Sequence, residues 1–421
     1  MLERWTGLLT EYIHESAEQM TREPEGILAH RYTVPSSPDS PYYSKALWDW
    51  DSWTISIALG QVELDTDRAG RFGDYELGSI LNFLDHTDED GVMPIQLSPA
   101  GSLLHGDPGR AGGFSQNMHK PVLAQQAALL SRRRGDVEWL RPHMPVVDRF
   151  AQRYVDSHLH AETGLAYWQT DFAVGVDNDP SVYYRPDRST AAIYLNSLLY
   201  REFLALGYLW EQLGDLVAAN TWRGRSQDLA DALNRHAWDE RDGTFYSVDL
   251  ALRDIDPEDW LHKGAPRRWS SMIMRIDNWS SFLPLWAGFA SAEQAARMVE
   301  RYRDERTFHS AYGIRTLSRL EKMYDLRASN NPSNWLGPIW GISNYLMFRG
   351  LLKYGYVDDA RDLAEKTVRL FGADLEANGS LHEYYHPDSG EPIITHGFQN
   401  WNFLVLNMIA YLEGRPVSWE F

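Results

Sequence analysis

Thr163-Gly164-Leu165-Ala166-Tyr167 sets the period of this chain. A glycine that follows a small polar or acidic residue and precedes an apolar run reads as a turn. The pattern recurs at Gly26-Ile27-Leu28, Gly91-Val92-Met93, Gly243-Thr244-Phe245-Tyr246 and Gly379-Ser380-Leu381-His382. The intervals are about 70 residues, and the last is close to twice that. A sixth turn is therefore expected near Phe308 and Ala311. Between the turns the apolar residues follow helical spacing. Leu195, Leu199, Phe203, Leu206, Trp210 and Leu213 make one stripe. Ser291 and Gln294 form a capping box that opens a helix over Ala292 to Tyr302. The stripe Leu363, Val368, Phe371 is expected to end at Gly372 as a helix C-cap. Leu404 to Leu412 is apolar all round and reads as a buried helix. Period-2 strands are few, so short β-hairpins are expected only in the loops. A helix pair cannot bury its apolar face alone, and such units either close on one another or stack as an open solenoid. Six of them point to an all-α (α/α)6 barrel, one domain spanning residues 1–421, with the glycine loops gathered at one end.

Composition narrows the function. Lys and Arg number 40 against 59 Asp and Glu, a net charge of −19. That field repels phosphate backbones and anionic lipid, so neither nucleic acid nor a membrane is an expected partner. No stretch approaches the ~20 apolar residues of a membrane span. Charges interrupt the first residues before a signal-peptide core can form, and the chain has no cysteine. A cytoplasmic location is the expectation. Trp, Tyr and Phe number 17, 22 and 15. Such content serves a large core or a cleft where indole faces meet the C–H faces of a sugar, and composition favours neither.

Four segments could carry chemistry. In Leu47-Trp48-Asp49-Trp50-Asp51-Ser52-Trp53, helical spacing would put Asp51 on one face with Trp48; the alternative is an N-cap Asp among core tryptophans. In Gly175-Val176-Asp177-Asn178-Asp179-Pro180, glycine and proline bracket a loop, and the apolar run before Asp177 would raise a carboxyl pKa, as a general acid needs. An Asx-turn explains the same residues. In Leu381-His382-Glu383-Tyr384-Tyr385-His386-Pro387, Glu383 sits among aromatics beyond a glycine turn and could activate water. His382 and His386 have metal-pair spacing, but Pro387 opposes continued helix and no third ligand is evident. In Asn334 to Tyr345, Trp335 and Trp340 stand at the mouth of a helix opened by Gly337-Pro338. Trp340 suits core packing as well as ligand contact.

These segments, in this order, resemble glycoside hydrolase family 63, whose sister family with the same barrel contains the trehalases. Trp50-Asp51-Ser52 resembles the family's early Trp-Asp segment. Gly175-Val176-Asp177-Asn178 resembles its Gly-x-Asp-Asn segment, and Gly337-Pro338-Ile339-Trp340 to Asn344-Tyr345 its Gly-Pro-x-Trp…Asn-Tyr stretch. Glu383-Tyr384-Tyr385, then Gly390-Glu391 and Phe398 to Trp401, resembles its C-terminal Glu-x-Tyr segment. Asp179 stands where many relatives place Ser, and the longer trehalase signatures are not evident.

The resemblance implies an inverting, exo-acting hydrolase of a small α-glucoside, a disaccharide or a glucosyl- or mannosyl-glycerate, needing no metal or organic cofactor. Asp177 would be the general acid and Glu383 the general base, with their carboxyls about 6.5–9.5 Å apart. Asp51 would hold sugar hydroxyls. Trp48, Trp50, Trp335, Trp340 and Trp401 would form walls, with Gly337 among them. Gln116 and Gln125 flank Lys120-Pro121-Val122, which resembles a subsite segment. An aglycone carboxylate would call for arginine, and Arg185, Arg188 and Arg315 are the candidates. Two other functions share such a chain: an epimerase of the N-acylglucosamine type, enlisting His119, His382 and His396, and a sugar-binding protein without catalysis.

Overall fold

A helix buried on every side must lie inside a ring of others, and one with a single apolar stripe must lie outside. The computed structural model describes residues 2–102, 117–254, 256, 258–263, 267–327 and 333–421. Among the described residues twelve α-helices alternate between these two kinds. The outer ones are α1 (Leu2–Ser16), α3 (Gly73–Asp85), α5 (Met144–His158), α7 (Leu216–His236), α9 (Ala292–Arg303) and α11 (Val357–Asn378). The inner ones are α2 (Asp49–Thr66), α4 (Leu123–Arg134), α6 (Ile193–Gln212), α8 (Leu283–Ala287), α10 (Gly341–Lys353) and α12 (Val405–Leu412). In α1 the buried residues are Leu9, Ile13 and Ser16, whereas α2 is buried from Asp49 through Glu63. Each inner helix packs on the next, and α12 with the 3-10 turn before it returns to α2. The ring is thus closed, as an (α/α)6 barrel requires.

The glycine turns are the connections from each outer helix to the following inner one. Gly26, Gly91, Gly164, Gly243 and Gly379 all take positive φ. The sixth turn lies at Ser310 to Gly313, where the His309–Ile314 bridge closes it. The strands are two to five residues long. Some form hairpins, such as Trp238–Asp239 with Thr244–Phe245. Others pair across the chain: Leu47–Trp48 with Gln96–Leu97, and Ile339–Trp340 with His382–Tyr385. These last two pairs abut the N-termini of α2 and α10 and so fix the approach to them.

Two local expectations need correction. Gly372 lies inside α11, where an added Cβ would stand 2.4 Å from Trp5, so its smallness serves helix packing. The helix continues to Asn378 and ends at the left-handed Gly379. Trp48 is extended and is itself the N-cap of α2, so it shares no helical face with Asp51. The capping box of α9 has both halves, Gln294 N–H donating to Ser291 Oγ at 3.1 Å and Ser291 N–H to Gln294 Oε1 at 2.8 Å.

Buried polar groups tie the rings together. Glu202 of α6 accepts from Ala124 N–H at 2.7 Å and Gln125 N–H at 3.2 Å, capping α4 from its neighbour. Arg133 of α4 donates to Glu63 of α2 at 2.8 Å and to both oxygens of Glu76 of α3 at 2.7 and 2.8 Å. Removing the guanidinium strands two carboxylates in the interior. Arg133→Met is therefore expected to cost about 3–5 kcal/mol, read as a lowered midpoint in urea unfolding.

Candidate active site

The segments leading into α2, α4, α6, α10 and α12 converge on one cavity of about 730 Å³. Its deep wall is aromatic. Trp335 stacks on Trp340 (centroids 4.0 Å, planes at 7°), and Trp340 stacks on Tyr384 (4.7 Å, 20°). Trp50 and Trp401 meet at 5.0 Å beside them. The indole N–H of Trp335 donates to Ser333 Oγ and that of Trp340 to Asn334 O, and Trp340, with Trp335 on one face and Tyr384 on the other, is locked in the stack. The indole N–H groups of Trp48 and Trp401 are buried without a protein partner and remain as donors.

Three carboxylates named from the sequence share this cavity: Asp51, Asp177 and Glu383. Asp51 sits in the first turn of α2 and accepts from Asn400 Nδ2 at 2.5 Å. Asn400 in turn accepts from Thr54 Oγ1 at 2.6 Å, which locks its amide. Burial pushes the Asp51 carboxyl up, the charge of Asp49 adds to this, and Lys120 offsets it. Lys120 is itself bound to Asp49, its Nζ lying 3.2 and 3.0 Å from the two oxygens. Both side chains are buried, and the ammonium stands over Trp50 at 5.6 Å.

The Asp177 loop is held from three sides. Gly175 has φ +90°, and a Cβ there would lie 2.6 Å from Lys120 Cε and 3.3 Å from Trp50 and from the Tyr194 hydroxyl. Asn178 donates to Asn334 Oδ1 at 3.0 Å and accepts from Trp335 N–H at 2.7 Å. Asp179 is buried and accepts from Ser181 N–H and Oγ, both at 2.8 Å, and from Asn278 Nδ2 at 2.9 Å. Asn178 and Asp179 thus serve as the loop's anchors, and Asp177 beside them is half-buried at the cavity.

Glu383 comes from the strand His382–Tyr385, is 3% exposed, and its Oε2 has no hydrogen-bond partner. Burial raises its carboxyl to about 8; the Asp177 charge adds to the rise, and the neighbouring Thr395 and Tyr43 hydroxyls oppose it. Tyr43 has φ +64° and edges onto Trp48 and Phe398. Burial and then the charges of Glu383, Asp177 and Asp51 hold its phenol protonated. The sequence offered no motif for Tyr43, nor for Asp171, Tyr183 and Tyr184 at the lip, which also line the cavity; Phe172 beside them opens the apolar run that precedes Asp177.

Five residues named from the sequence lie elsewhere. Gln125 is fully buried, donating to Pro121 O and Leu198 O inside the helix ring. Gly337 packs under Tyr324, where a Cβ would come within 2.3 Å. Arg185 pairs with Asp249 at 2.6 Å, Arg188 donates to Gln169 at 2.8 Å, and Arg315 pairs with Asp388 at 2.8 Å. Each is spent on holding a loop. Gln116 lies outside the described residues. Among the described residues no histidine lines the cavity either, His119, His382 and His396 included. His119 is buried between Phe83 and Phe150, with a pKa lowered by burial to about 4. His382 pairs with Asp374 at 3.0 Å, and His386 accepts from the Asp388 and Ser389 N–H groups in a turn. Among the described residues no group of three or more His, Cys, Asp or Glu side chains could hold a metal ion, and no helix is long and apolar enough to cross a membrane.

A closed double ring of helices around paired carboxylates and stacked indoles defines the class, a glycoside hydrolase. The model of the mannosylglycerate hydrolase MGH1-like glycoside hydrolase domain matches residues 42–401, and the chain belongs to that family, within glycoside hydrolase family 63. It is 24% identical over 415 residues to mannosylglycerate hydrolase MGH1 of Selaginella moellendorffii, covering 85% of this chain and 78% of that protein. It is 25% identical over 454 residues to the mannosylglycerate hydrolase of Rubrobacter radiotolerans, covering 89% and 92%. The crystal structure of the Thermus thermophilus mannosylglycerate hydrolase with glucose superposes at a TM-score of 0.66 and 21% identity, covering 93% of this chain and 98% of that one. Neutral trehalase Nth1 of Saccharomyces cerevisiae shares the fold at a TM-score of 0.60 and 16% identity, covering 96% and 79%.

The Glu383 carboxyl is expected to titrate near pH 8 in NMR of carboxyl-labelled protein. Asp177→Asn removes a charge that raises it, so the midpoint should move to lower pH. An unmoved midpoint would mean that the two carboxylates do not feel one another.

Proposed function

We propose that the enzyme is an exo-acting hydrolase of a small α-glycoside, gluco- or manno-configured, that works with inversion at the anomeric carbon. One observation carries this reading: two carboxylates share one cavity, Asp177 half-buried and Glu383 deeply buried with an unpartnered oxygen. In an exo-acting site the glycosyl ring fills the closed end and the leaving group points outward. Asp177, on a loop continuous with the exposed lip, then protonates the glycosidic oxygen. Glu383 takes a proton from a water molecule, whose oxygen attacks the anomeric carbon as the C–O bond breaks. An α-linked substrate releases β-sugar. In the productive form the proton sits on Asp177 and Glu383 is ionised, so the carboxyl that burial raises to about 8 must first lose its proton. Asp51, fixed by Asn400, holds ring hydroxyls at the aromatic-walled end. Relatives matched over 85% and 89% of the chain are mannosylglycerate hydrolases, which supports a small substrate.

An epimerase reading would need histidine acid–base groups, and among the described residues no histidine lines the cavity.

Asp177→Asn and Glu383→Gln are each expected to lower kcat/KM by about 10²–10⁴-fold on an unactivated glycoside, with folding unchanged by circular dichroism. Proton NMR of the wild-type reaction should show the β-anomer first. The α-anomer appearing first would overturn inversion, and near-full activity in either variant would overturn that residue's assignment.

A further inference from the structure

The cavity has two ends of different character. At its deep end Trp335 and Trp340 are each 1% exposed. At its lip Phe172 is 52% exposed, Tyr183 36% and Tyr184 84%. Large aromatic rings facing solvent beside a cavity mark a surface for a partner. These three flank the Asp177 loop on both sides, so they stand where a leaving group protonated by Asp177 would extend. The lip is also built. Asp171 Oδ2 accepts from Tyr184 N–H at 2.9 Å, joining the two lip segments. Asn117 Nδ2 donates to Phe172 O at 2.6 Å and fixes the first of them. Tyr183 and Tyr184 lie ring to ring at 4.2 Å with their planes at 44°, so each ring supports the other.

Charge points the same way. Among the described residues the cavity carries four carboxyl groups (Asp51, Asp171, Asp177, Glu383), of which burial raises Asp51 and Glu383, and one cation, Lys120. That cation is consumed by its ion pair with Asp49. Arg185 and Arg315, two of the arginines expected to meet an anion, are paired with Asp249 and Asp388. A carboxylate-bearing aglycone would meet Asp171 at the lip and, among the described lining residues, no cation that is free to pair with it, whereas a neutral ring would find aromatic side chains.

We propose that the Phe172–Tyr183–Tyr184 lip is a leaving-group subsite that stacks a second, uncharged sugar ring, so that the substrate class is a neutral α-linked disaccharide or glycosyl glycoside. This rests on the hydrolase reading above and goes beyond it in naming the aglycone.

The two can be tested apart. α-D-Glucosyl and α-D-mannosyl fluoride carry no second ring and report on the deep end alone. Wild-type enzyme is expected to hydrolyse at least one of them. It should also cleave a neutral disaccharide from a panel of kojibiose, nigerose, isomaltose, trehalose and their α-mannosyl counterparts. The expected kcat/KM there is at least about tenfold above that for glucosylglycerate or mannosylglycerate. In Tyr184→Ala and in Phe172→Ala, the ratio of kcat/KM for the disaccharide to that for the fluoride should fall at least about fivefold, mainly through KM. A preference for either glycerate, or ratios unchanged in both variants, overturns the lip assignment while leaving the hydrolase reading intact. No turnover of either fluoride overturns the hydrolase reading, and the lip proposal with it.

Discussion

The inner ring must close on itself, and the seam where it closes runs through Asn400. Its amide donates to Asp51 and accepts from Thr54, joining the start of α2 to the turn that leads into α12. The same seam is bound lower down, where Ser418 N–H donates to Gln61 of α2 and Asn407 of α12 donates to Ser418 O. Residues from the two ends of the chain thereby become neighbours. A carboxylate in the first turn of a buried helix is favoured by the unpaired N–H groups there, and the closure holds it against the cavity.

Six inner helices running the same way through the ring leave their N-terminal N–H groups to be satisfied at one end. The connections that arrive from the outer helices do part of this work, as does Glu202 capping α4 from α6. Those connections are short, glycine-bent and paired into small strands, so their side chains are presented from firm supports. The site is therefore assembled from segments far apart in sequence. Asp49 pairs with Lys120, Asn178 with Trp335, and Asp179 with Asn278. Each such pair fixes one loop that lines the cavity by another.

Much of the site was legible because its chemistry is local. Trp48, Trp50, Asp51, Asp177, Trp335, Trp340, Glu383 and Trp401, each named from a short motif, all line the cavity. Arginine and glutamine were harder to place. Arg185, Arg188, Arg315 and Gln125 sit near those motifs in sequence, yet each is turned to a partner that only the fold supplies. Tyr43 and the Tyr183–Tyr184 pair carry no motif, and nothing in their neighbours distinguishes them from surface tyrosines.

The repeat, and the kind of helix in each half of it, can be read from residue order. A turn glycine and an apolar period are properties of a few adjacent residues, which no distant contact has to supply. Residue order also shows which acids stand beside tryptophans. Folding in three dimensions was needed to run α11 through Gly372, because the need for a glycine there comes from Trp5. Folding likewise brought Glu383 beside Asp177, and buried it deeply enough to raise its carboxyl to about 8. Burial and charge proximity are sums over neighbours in space, and the order of residues along the chain does not contain them.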